Sequence, residues 1–203
     1  DIDFADLITT KTGCQTIFVG PYASISPQQI LKRAKKICYL VTGEFELPVQ
    51  ELIEGKAPKD IKNLVFKDGE QIIQNDERPY LNSSQLDRIP FIAQFIKKHL
   101  SIYRYKALSE PYPFIDLLSG RGCHWGRCTF CLWVHTYVTG PRYNCRSIDN
   151  VIDEIRFISH EMPEIKSIMI QDDSFSEQRA YEFSEKKIKA GLIWVSQALQ
   201  LLN

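Results

Sequence analysis

The start of the chain alternates short apolar runs with stretches whose apolar positions repeat at helical spacing. Residues 16–20 and 37–41 are apolar runs of the length that buried parallel strands have. Ser26, followed by Pro27 and Gln29, is a capping-box pattern, and it predicts a helix between the two strands. A second helical stretch follows the second strand. Because strands alternate with helices, this part of the sequence predicts a parallel sheet with crossover helices.

A predicted hairpin and an irregular connector come next. Residues 61–66 and 71–73 are mostly apolar and lie on either side of Asp68-Gly69, a dipeptide that favours a tight turn. Residues 76–113 contain four prolines, which predict irregular structure. We expect one helix within this connector, near residues 91–100.

The alternation of strands and helices resumes after the connector. Residues 114–118, 167–170 and 192–195 are predicted strands, while Ser147 and Ser176 are predicted to start helices. The helix after Ser147 has an apolar stripe at regular helical spacing: Ile148, Val151, Ile152, Ile155 and Ile158. This part of the chain therefore predicts about three strand–helix units.

The composition is that of a globular protein, and it narrows the classes of function. The 203 residues are 44% hydrophobic and 25% charged, with a formal net charge of zero. This balance gives no electrostatic case for a nucleic-acid partner or an acidic membrane surface. No apolar run approaches the roughly 18 residues that a membrane span needs, and the acidic start is unlike a signal peptide. We therefore expect a cytoplasmic protein with free cysteines and no membrane span.

Three of the six cysteines, Cys123, Cys128 and Cys131, fall within nine residues. They follow the predicted strand at 114–118 and the glycine-rich stretch 119–122, which we interpret as a flexible loop. Clustered thiolates on such a loop indicate an iron–sulfur or a zinc site. A structural metal site normally closes with four ligands, whereas three cysteines on a 4Fe–4S cluster leave one iron free to bind a reactant.

The cysteine loop resembles the cluster loop of the radical S-adenosylmethionine (radical SAM) superfamily. That superfamily carries Cys-x-x-x-Cys-x-x-Cys after its first barrel strand, with an aromatic residue before the last cysteine, here Phe130. The first spacing differs, because four residues separate Cys123 from Cys128 where the common form has three. The resemblance implies that Cys123, Cys128 and Cys131 hold a 4Fe–4S cluster whose fourth iron chelates S-adenosylmethionine. Reductive cleavage of S-adenosylmethionine at the cluster would then start radical chemistry.

The first half of the chain is similar to the latter part of the cobalamin-binding domain that precedes many radical SAM domains. Residues 20–24 (Gly-Pro-Tyr-Ala-Ser) and 43–46 (Gly-Glu-Phe-Glu) resemble two turns of that domain. Residues 87–90 resemble the element that leads into the barrel. Residues 172–175 resemble the Asp-Asp-x-Phe end of a barrel strand. These similarities occur in the family's order along nearly the whole chain.

The resemblances imply one fold class for the chain. It would be an α/β protein with a partial doubly wound parallel sheet of the cobalamin-binding type, followed by the first part of a radical SAM β/α barrel. The sheet would occupy residues 1–75, a connector residues 76–113, and the start of the barrel residues 114–203. The early Asp-x-His-x-x-Gly of classical cobalamin domains is not in the sequence. We therefore expect a fragment of a longer protein, inactive and poorly soluble by itself.

The resemblance also implies roles for residues near S-adenosylmethionine. Phe130 would contact its adenine region, with simple packing as the alternative. Asp172 or Asp173 would accept a hydrogen bond from its amino group. Both acids also precede the predicted helix start at Ser176, so helix capping is the alternative for them.

The two turns of the first half would face cobalamin. Gly20-Pro21 and Gly43-Glu44 follow predicted parallel strands, and open sheets bind ligands beyond the carboxyl ends of their strands. Glycine permits a cofactor to approach the backbone closely. The alternative is that both glycines only make the turns from strand to loop.

Two functions from different classes follow. The resemblance implies a radical SAM enzyme, with cobalamin-dependent methyl transfer to an unactivated carbon as the leading hypothesis. Such an enzyme would need a small-molecule substrate and an electron donor such as flavodoxin or ferredoxin, and no catalytic residue is assigned. The alternative is a zinc-stabilised α/β binding module without catalysis, in which His124, His135 or Cys145 supplies the fourth ligand.

Overall fold

The computed structural model describes residues 1–107, 110–131 and 143–189. These residues form two compact units. The first unit comprises Asp1–Tyr80 and the segment that begins at Cys128. The second comprises Leu81–Arg127 and the described residues from 143 onward.

The first unit contains four strands, as far as the structure describes it, and these form one sheet. The strands are β1 (Ile17–Phe18), β2 (Tyr39–Val41), β3 (Leu64–Asp68) and β4 (Gln71–Gln74). The helices are α1 (Ile2–Thr12), α2 (Pro21–Ile25), α3 (Pro27–Arg33) and α4 (Glu46–Ile53), and a 3-10 turn spans Pro58–Asp60.

The sheet has the strand order β1-β2-β3-β4 and mixes two kinds of pairing. Strands β1 and β2 are parallel, with Ile17 opposite Tyr39. The predicted hairpin is confirmed, since β3 pairs antiparallel with both β2 and β4. A parallel pair at one end of the sheet therefore joins an antiparallel hairpin at the other.

Both faces of this sheet are covered, as in a doubly wound fold. The adjacent residues Leu40 and Val41 of β2 point to opposite faces and belong to separate apolar clusters. Ile30 and Leu31 of α3 pack in the cluster of Leu40. On the other face, Val49 of α4 packs in the cluster of Val41.

The second unit has helices α5 (Ser83–Leu86), α6 (Ile92–His99), α7 (Ile148–Glu161) and α8 (Glu177–Lys189), and a 3-10 turn at Ile102–Arg104. Its strands are β5 (Phe114–Leu117), β6 (Gly120–Gly122), β7 (Tyr143–Cys145) and β8 (Ser167–Ile170). Strand β5 is parallel to β8 and in register from Phe114↔Ser167 to Leu117↔Ile170. Strands β6 and β7 form a separate antiparallel pair.

Helix α7 connects β7 to β8 and forms the core of the second unit together with the parallel strands β5 and β8. All five residues of its predicted apolar stripe are buried. They pack with Ile115 and Leu117 of β5 and with Ile168 and Ile170 of β8. Ser147 caps the helix as predicted, because its Oγ accepts a hydrogen bond from Asn150 N at 3.2 Å. Parallel strands joined through a packed helix are the unit from which β/α barrels are built.

Three details differ from the sequence-based expectations. Helix α3 begins at Pro27 as expected, but the Ser26 side chain makes no capping hydrogen bond. Helix α1 was not predicted. The stretch 119–122 is not a flexible loop, because Gly120–Gly122 pairs as strand β6. The predicted strand at 192–195 lies outside the described residues.

Within the described part of the chain, no helix is both long and apolar enough to cross a membrane.

Candidate cofactor sites

The three clustered cysteines lie in residues 123–131, called the cysteine segment below, which begins directly after β6. All six cysteines are free, and Cys123, Cys128 and Cys131 are each partly accessible. Cys131 N donates a hydrogen bond to Cys128 O at 3.3 Å, so these two residues lie in one tight turn. The described residues contain no group of three His, Cys, Asp or Glu side chains placed to hold a metal ion. The donor type fits a thiolate-ligated cluster, since three reduced thiols are available within nine residues.

Aromatic side chains of this segment point into solvent. Phe130 is 89% exposed and Trp125 is 61% exposed. The Arg127 guanidinium lies 5.5 Å from the centre of the Trp125 ring. The alternative that Phe130 is simply packed in the core therefore does not fit its surroundings, whereas a role in contacting a ligand remains a prediction. His135 lies outside the described residues.

Strands β6 and β7 precede and follow the cysteine segment and pack closely together. Gly120, Arg121 and Gly122 of β6 pair with Cys145, Asn144 and Tyr143 of β7. A β-carbon on Gly120 would lie 2.7 Å from Cys145 Sγ and 3.3 Å from Asp172 Oδ2. A β-carbon essentially never lies as close as 2.7 Å to another atom, so any side chain at this position would force Cys145 to move.

Asp172 lies beyond the end of β8 and binds the chain where it leaves β5. Its Oδ1 accepts hydrogen bonds from Ser119 N at 2.7 Å and Gly120 N at 3.0 Å. Its Oδ2 accepts a hydrogen bond from Ser119 Oγ. The buried Arg179 of α8 completes this network, because its Nη2 donates to Ser119 O at 2.9 Å.

Asp173 and Ser174, which follow Asp172, also make hydrogen bonds to the chain around Cys123. Asp173 Oδ2 accepts a hydrogen bond from Gly122 N at 3.2 Å. A hydrogen bond joins Ser174 Oγ to His124 Nδ1. Neither acid caps helix α8, where Ser176 Oγ instead accepts a hydrogen bond from Arg179 N at 3.3 Å. The helix-capping alternative for Asp172 and Asp173 is therefore wrong, and their contact with S-adenosylmethionine remains a prediction.

Burial dominates the electrostatics of this network. It raises the pKa of Asp172, and the hydrogen bonds from Ser119 and Gly120 with the charge of Arg179 offset this only in part. Burial also raises the pKa of the Cys145 thiol and of the Tyr143 phenol. Tyr143 Oη is buried next to Cys145. Cys145 is partly buried beside Gly120, which fits a packing role.

A cavity of about 420 Å³ lies in the second unit at the carboxyl end of β5. Asp116 and Leu118 line it from the face opposite the apolar core, and Arg121 and Gln171 line it from the following segments. Gln171 Nε2 lies 3.4 Å from Asp116 Oδ1. The carboxyl ends of barrel strands are where ligands bind in β/α barrels.

In the first unit, one hydroxyl joins the two turns predicted to face cobalamin. Ser24 Oγ donates a hydrogen bond to Gly20 O at 3.0 Å and accepts one from Gly43 N at 2.9 Å. Both glycines have positive φ, 101° and 67°, which disfavours any β-carbon there. Pro21 is the first residue of α2, and Glu44 is buried. The four predicted residues thus lie at the carboxyl ends of β1 and β2.

Sequence reasoning missed three residues that organise these sites: Ser24, Ser119 and Arg179. Ser24 belongs to the 20–24 turn, but a serine in a turn carries no sequence signal for hydrogen bonds that join two strand ends. Arg179 lies four residues before Phe183, so both are on the buried face of α8, and a charged residue on an apolar helix face is a signal for a buried partner. The partners of Ser119 lie 53 and 60 residues away and leave no local pattern.

No protein-family model matches the chain. An uncharacterized methyltransferase of Pyrococcus horikoshii is 28% identical over 187 residues, which cover 88% of this chain and 38% of that protein. The chain thus spans little more than a third of this curated relative.

Solved structures with the same fold share little sequence with the chain. The radical S-adenosylmethionine methyltransferase TsrM from Kitasatospora setae, with tryptophan and a SAM analogue bound, matches with a TM-score of 0.61 and 18% identity. That match covers 92% of this chain and 35% of TsrM. A second TsrM structure, with cobalamin and a [4Fe-4S] cluster bound, matches with a TM-score of 0.61 and 17% identity, covering 93% of this chain and 37% of TsrM.

The cobalamin-dependent S-adenosylmethionine radical enzyme OxsB, solved with aqua-cobalamin bound, gives a TM-score of 0.60 at 17% identity. This match covers 92% of the chain and 26% of OxsB. The predicted fold class is confirmed: the chain has the α/β fold that these cobalamin-dependent radical SAM enzymes share over this region.

Proposed function

We propose that this chain is part of a radical SAM enzyme that reductively cleaves S-adenosylmethionine at a 4Fe–4S cluster and transfers a methyl group with the help of cobalamin. One observation carries the proposal. The three clustered cysteines follow strand β5, which pairs in parallel with β8. The fold of the chain matches those of TsrM and OxsB over more than nine-tenths of its length. The methyltransferase relative from Pyrococcus horikoshii supports the same class of reaction.

Cys123, Cys128 and Cys131 would ligate the cluster. When bound, the cluster supplies the electron that breaks a carbon–sulfur bond of S-adenosylmethionine. The protein's part is to hold the thiolates on one loop and to present the exposed Phe130 beside them. The cavity next to β5 offers Asp116, Arg121 and Gln171 as polar groups for a small-molecule substrate.

Cobalamin would be held by the first unit. Gly20-Pro21 and Gly43-Glu44 lie at the carboxyl ends of the parallel strands β1 and β2, where open sheets bind ligands. A β-carbon built on Gly20 meets no atom within 4 Å, so the space beside this turn is open. When bound, cobalamin supplies a carrier for the methyl group. An electron donor such as flavodoxin or ferredoxin would reduce the cluster.

The test uses the full-length protein that contains this chain, reconstituted without oxygen with iron, sulfide and cobalamin. With a chemical reductant and S-adenosylmethionine, the proposal predicts cleavage of S-adenosylmethionine and cobalamin-dependent transfer of its methyl group. Cleavage without any dependence on cobalamin would remove the methyl-transfer part of the proposal. Bound zinc, with no iron and no cleavage, would favour a zinc-stabilised binding module instead.

A further inference from the structure

Three consecutive residues after β8 each bind a different part of the segment that leads into the cysteines. Asp172 binds Ser119 and Gly120, Asp173 binds Gly122, and Ser174 binds His124. The contacts run in the same order along both segments. They therefore span the chain from the end of β5 to the residue after Cys123.

We propose that Asp172, Asp173 and Ser174 form a clamp that positions the cysteine segment, so that these acids serve the protein backbone and do not bind S-adenosylmethionine. The inference rests on the proposed function in one respect only, namely that the cysteine segment holds a cluster. The clamp itself consists of contacts between described residues.

The chemistry of Asp172 favours this role. Both oxygens of the carboxylate are engaged, one by two backbone N–H groups and the other by the Ser119 hydroxyl. Ser119 is buried, and Arg179 holds its carbonyl and hydroxyl from the other side. Withdrawing Asp172 to bind a ligand would leave buried donors unpaired, which is costly.

The outer part of the clamp is built from weaker, more accessible contacts. Asp173 makes one hydrogen bond to the segment, at Gly122, the residue before Cys123. His124, on the other side of Cys123, is held by Ser174 and packs edge-on against Tyr143 of β7, with ring centres 5.8 Å apart. Cys123 is therefore fixed from both neighbours, and groups that orient metal ligands typically change metal affinity by about 10- to 100-fold when they are removed.

The experiment compares variants of the full-length protein, reconstituted without oxygen. The double variant Asp173→Ala, Ser174→Ala removes both outer contacts and leaves the buried Asp172 network intact, so the fold should persist. We expect iron to bind about tenfold more weakly, with an altered electron paramagnetic resonance signal of the reduced cluster and an unchanged thermal midpoint. Asp153→Ala, which removes an exposed carboxylate from α7, is the matched control and should behave as wild type.

The variant Asp172→Asn tells whether the Asp172 side chain holds the cysteine segment or binds S-adenosylmethionine. Its amide oxygen can still accept both backbone N–H groups, and its amide nitrogen can donate to Ser119 Oγ. The clamp predicts wild-type iron content and a wild-type change of the resonance signal when S-adenosylmethionine is added. Normal iron content with no response to S-adenosylmethionine would overturn the proposal, because it would show that the carboxylate charge contacts the substrate.

Hydrogen exchange tests the clamp without any cluster. In the iron-free protein, the amides of Gly122 and its neighbours should exchange faster in the double variant than in wild type or Asp153→Ala. Unchanged exchange would overturn the clamp. If wild-type protein binds no iron, the proposed function fails, and the exchange measurement still decides whether these residues hold the segment.

Discussion

Arg146 Nη1 and Glu154 Oε2 lie 2.6 Å apart, and the Glu154 side chain is fully buried. Arg146 follows β7 and also donates to Leu118 O at 2.9 Å, at the end of β5. Glu154 lies in the middle of α7, and its other oxygen accepts a hydrogen bond from Ala93 N of α6 at 3.2 Å. One ion pair therefore ties the hairpin at the base of the cysteine segment to the core helix of the second unit.

Breaking this pair should strongly destabilise the second unit. Glu154→Ala leaves the Arg146 guanidinium without its buried partner, and we expect the free energy of unfolding to fall by about 3–5 kcal/mol. Denaturant unfolding measures the loss. The neighbouring Asp153→Ala removes only an exposed pair with Arg156, so it should cost less than about 1 kcal/mol. Equal losses for the two variants would contradict this account of the pair.

Gly120→Ala should disrupt the hairpin through a steric clash. The new β-carbon would lie 2.7 Å from Cys145 Sγ, and we expect a loss of about 1–3 kcal/mol in the free energy of unfolding. Cys145→Ala in the same chain removes the clashing sulfur and should recover part of that loss. A double variant no more stable than Gly120→Ala would show that the clash lies elsewhere.

The Ser24 hydroxyl should matter for the arrangement of the two turns in the first unit. Ser24→Ala removes hydrogen bonds to Gly20 O and Gly43 N, which are worth about 1 kcal/mol each. We expect weaker cobalamin binding in the full-length protein, measured by absorbance titration, with iron content unchanged. Gly20→Val is a less specific probe, because φ of 101° strains any residue with a β-carbon.

Ser26→Ala is the control for that experiment, since the Ser26 side chain makes no capping hydrogen bond. It lies two residues further along and should bind cobalamin as wild type does. If Ser24→Ala also binds like wild type, the link between the two turns has no part in holding the cofactor.

The first unit should lose stability in acid through Glu51. Partial burial opposes ionisation, but hydrogen bonds and charges from Arg78 and Lys56 together lower the pKa of Glu51. Arg78 Nη2 lies 2.7 Å from its carboxylate. Because the folded-state pKa lies below the unfolded value of about 4.3, this contribution is complete above that pH and is lost as the pH falls through the folded-state pKa.

Glu51→Gln should therefore be less stable than wild type at pH 7, by about 1.5 kcal/mol, and the difference should be smaller near pH 3. Thermal or denaturant unfolding at the two pH values measures the difference. A gap between wild type and variant that stays constant over this range would show that the Glu51 charge does not contribute.

The elements that were predicted from sequence are those whose pattern is local. Helix α7 carries its own cap at Ser147 and a complete apolar stripe, and the hairpin of β3 and β4 carries Asp68-Gly69 at its turn. Helix α1 was missed because only Ala5 is buried along its eleven residues, which leaves a weak pattern.

The features that could not be predicted depend on partners distant in sequence. Strand β6 reads Gly-Arg-Gly, which has no apolar alternation, and it becomes a strand only because β7 lies beside it. The two acids after β8 bind Ser119 and Gly122, which are more than 50 residues earlier in the chain, and only the fold brings these residues together.

The most direct test of the central claim is the iron content of single cysteine variants of the full-length protein, reconstituted without oxygen. Cys123→Ala, Cys128→Ala and Cys131→Ala should each lose most of the iron. Cys14→Ala and Cys38→Ala, whose thiols lie far from the cysteine segment in the sequence, should keep wild-type iron. Equal loss of iron in all five variants, or zinc in place of iron in the wild-type protein, would contradict the assignment of a 4Fe–4S cluster to this loop.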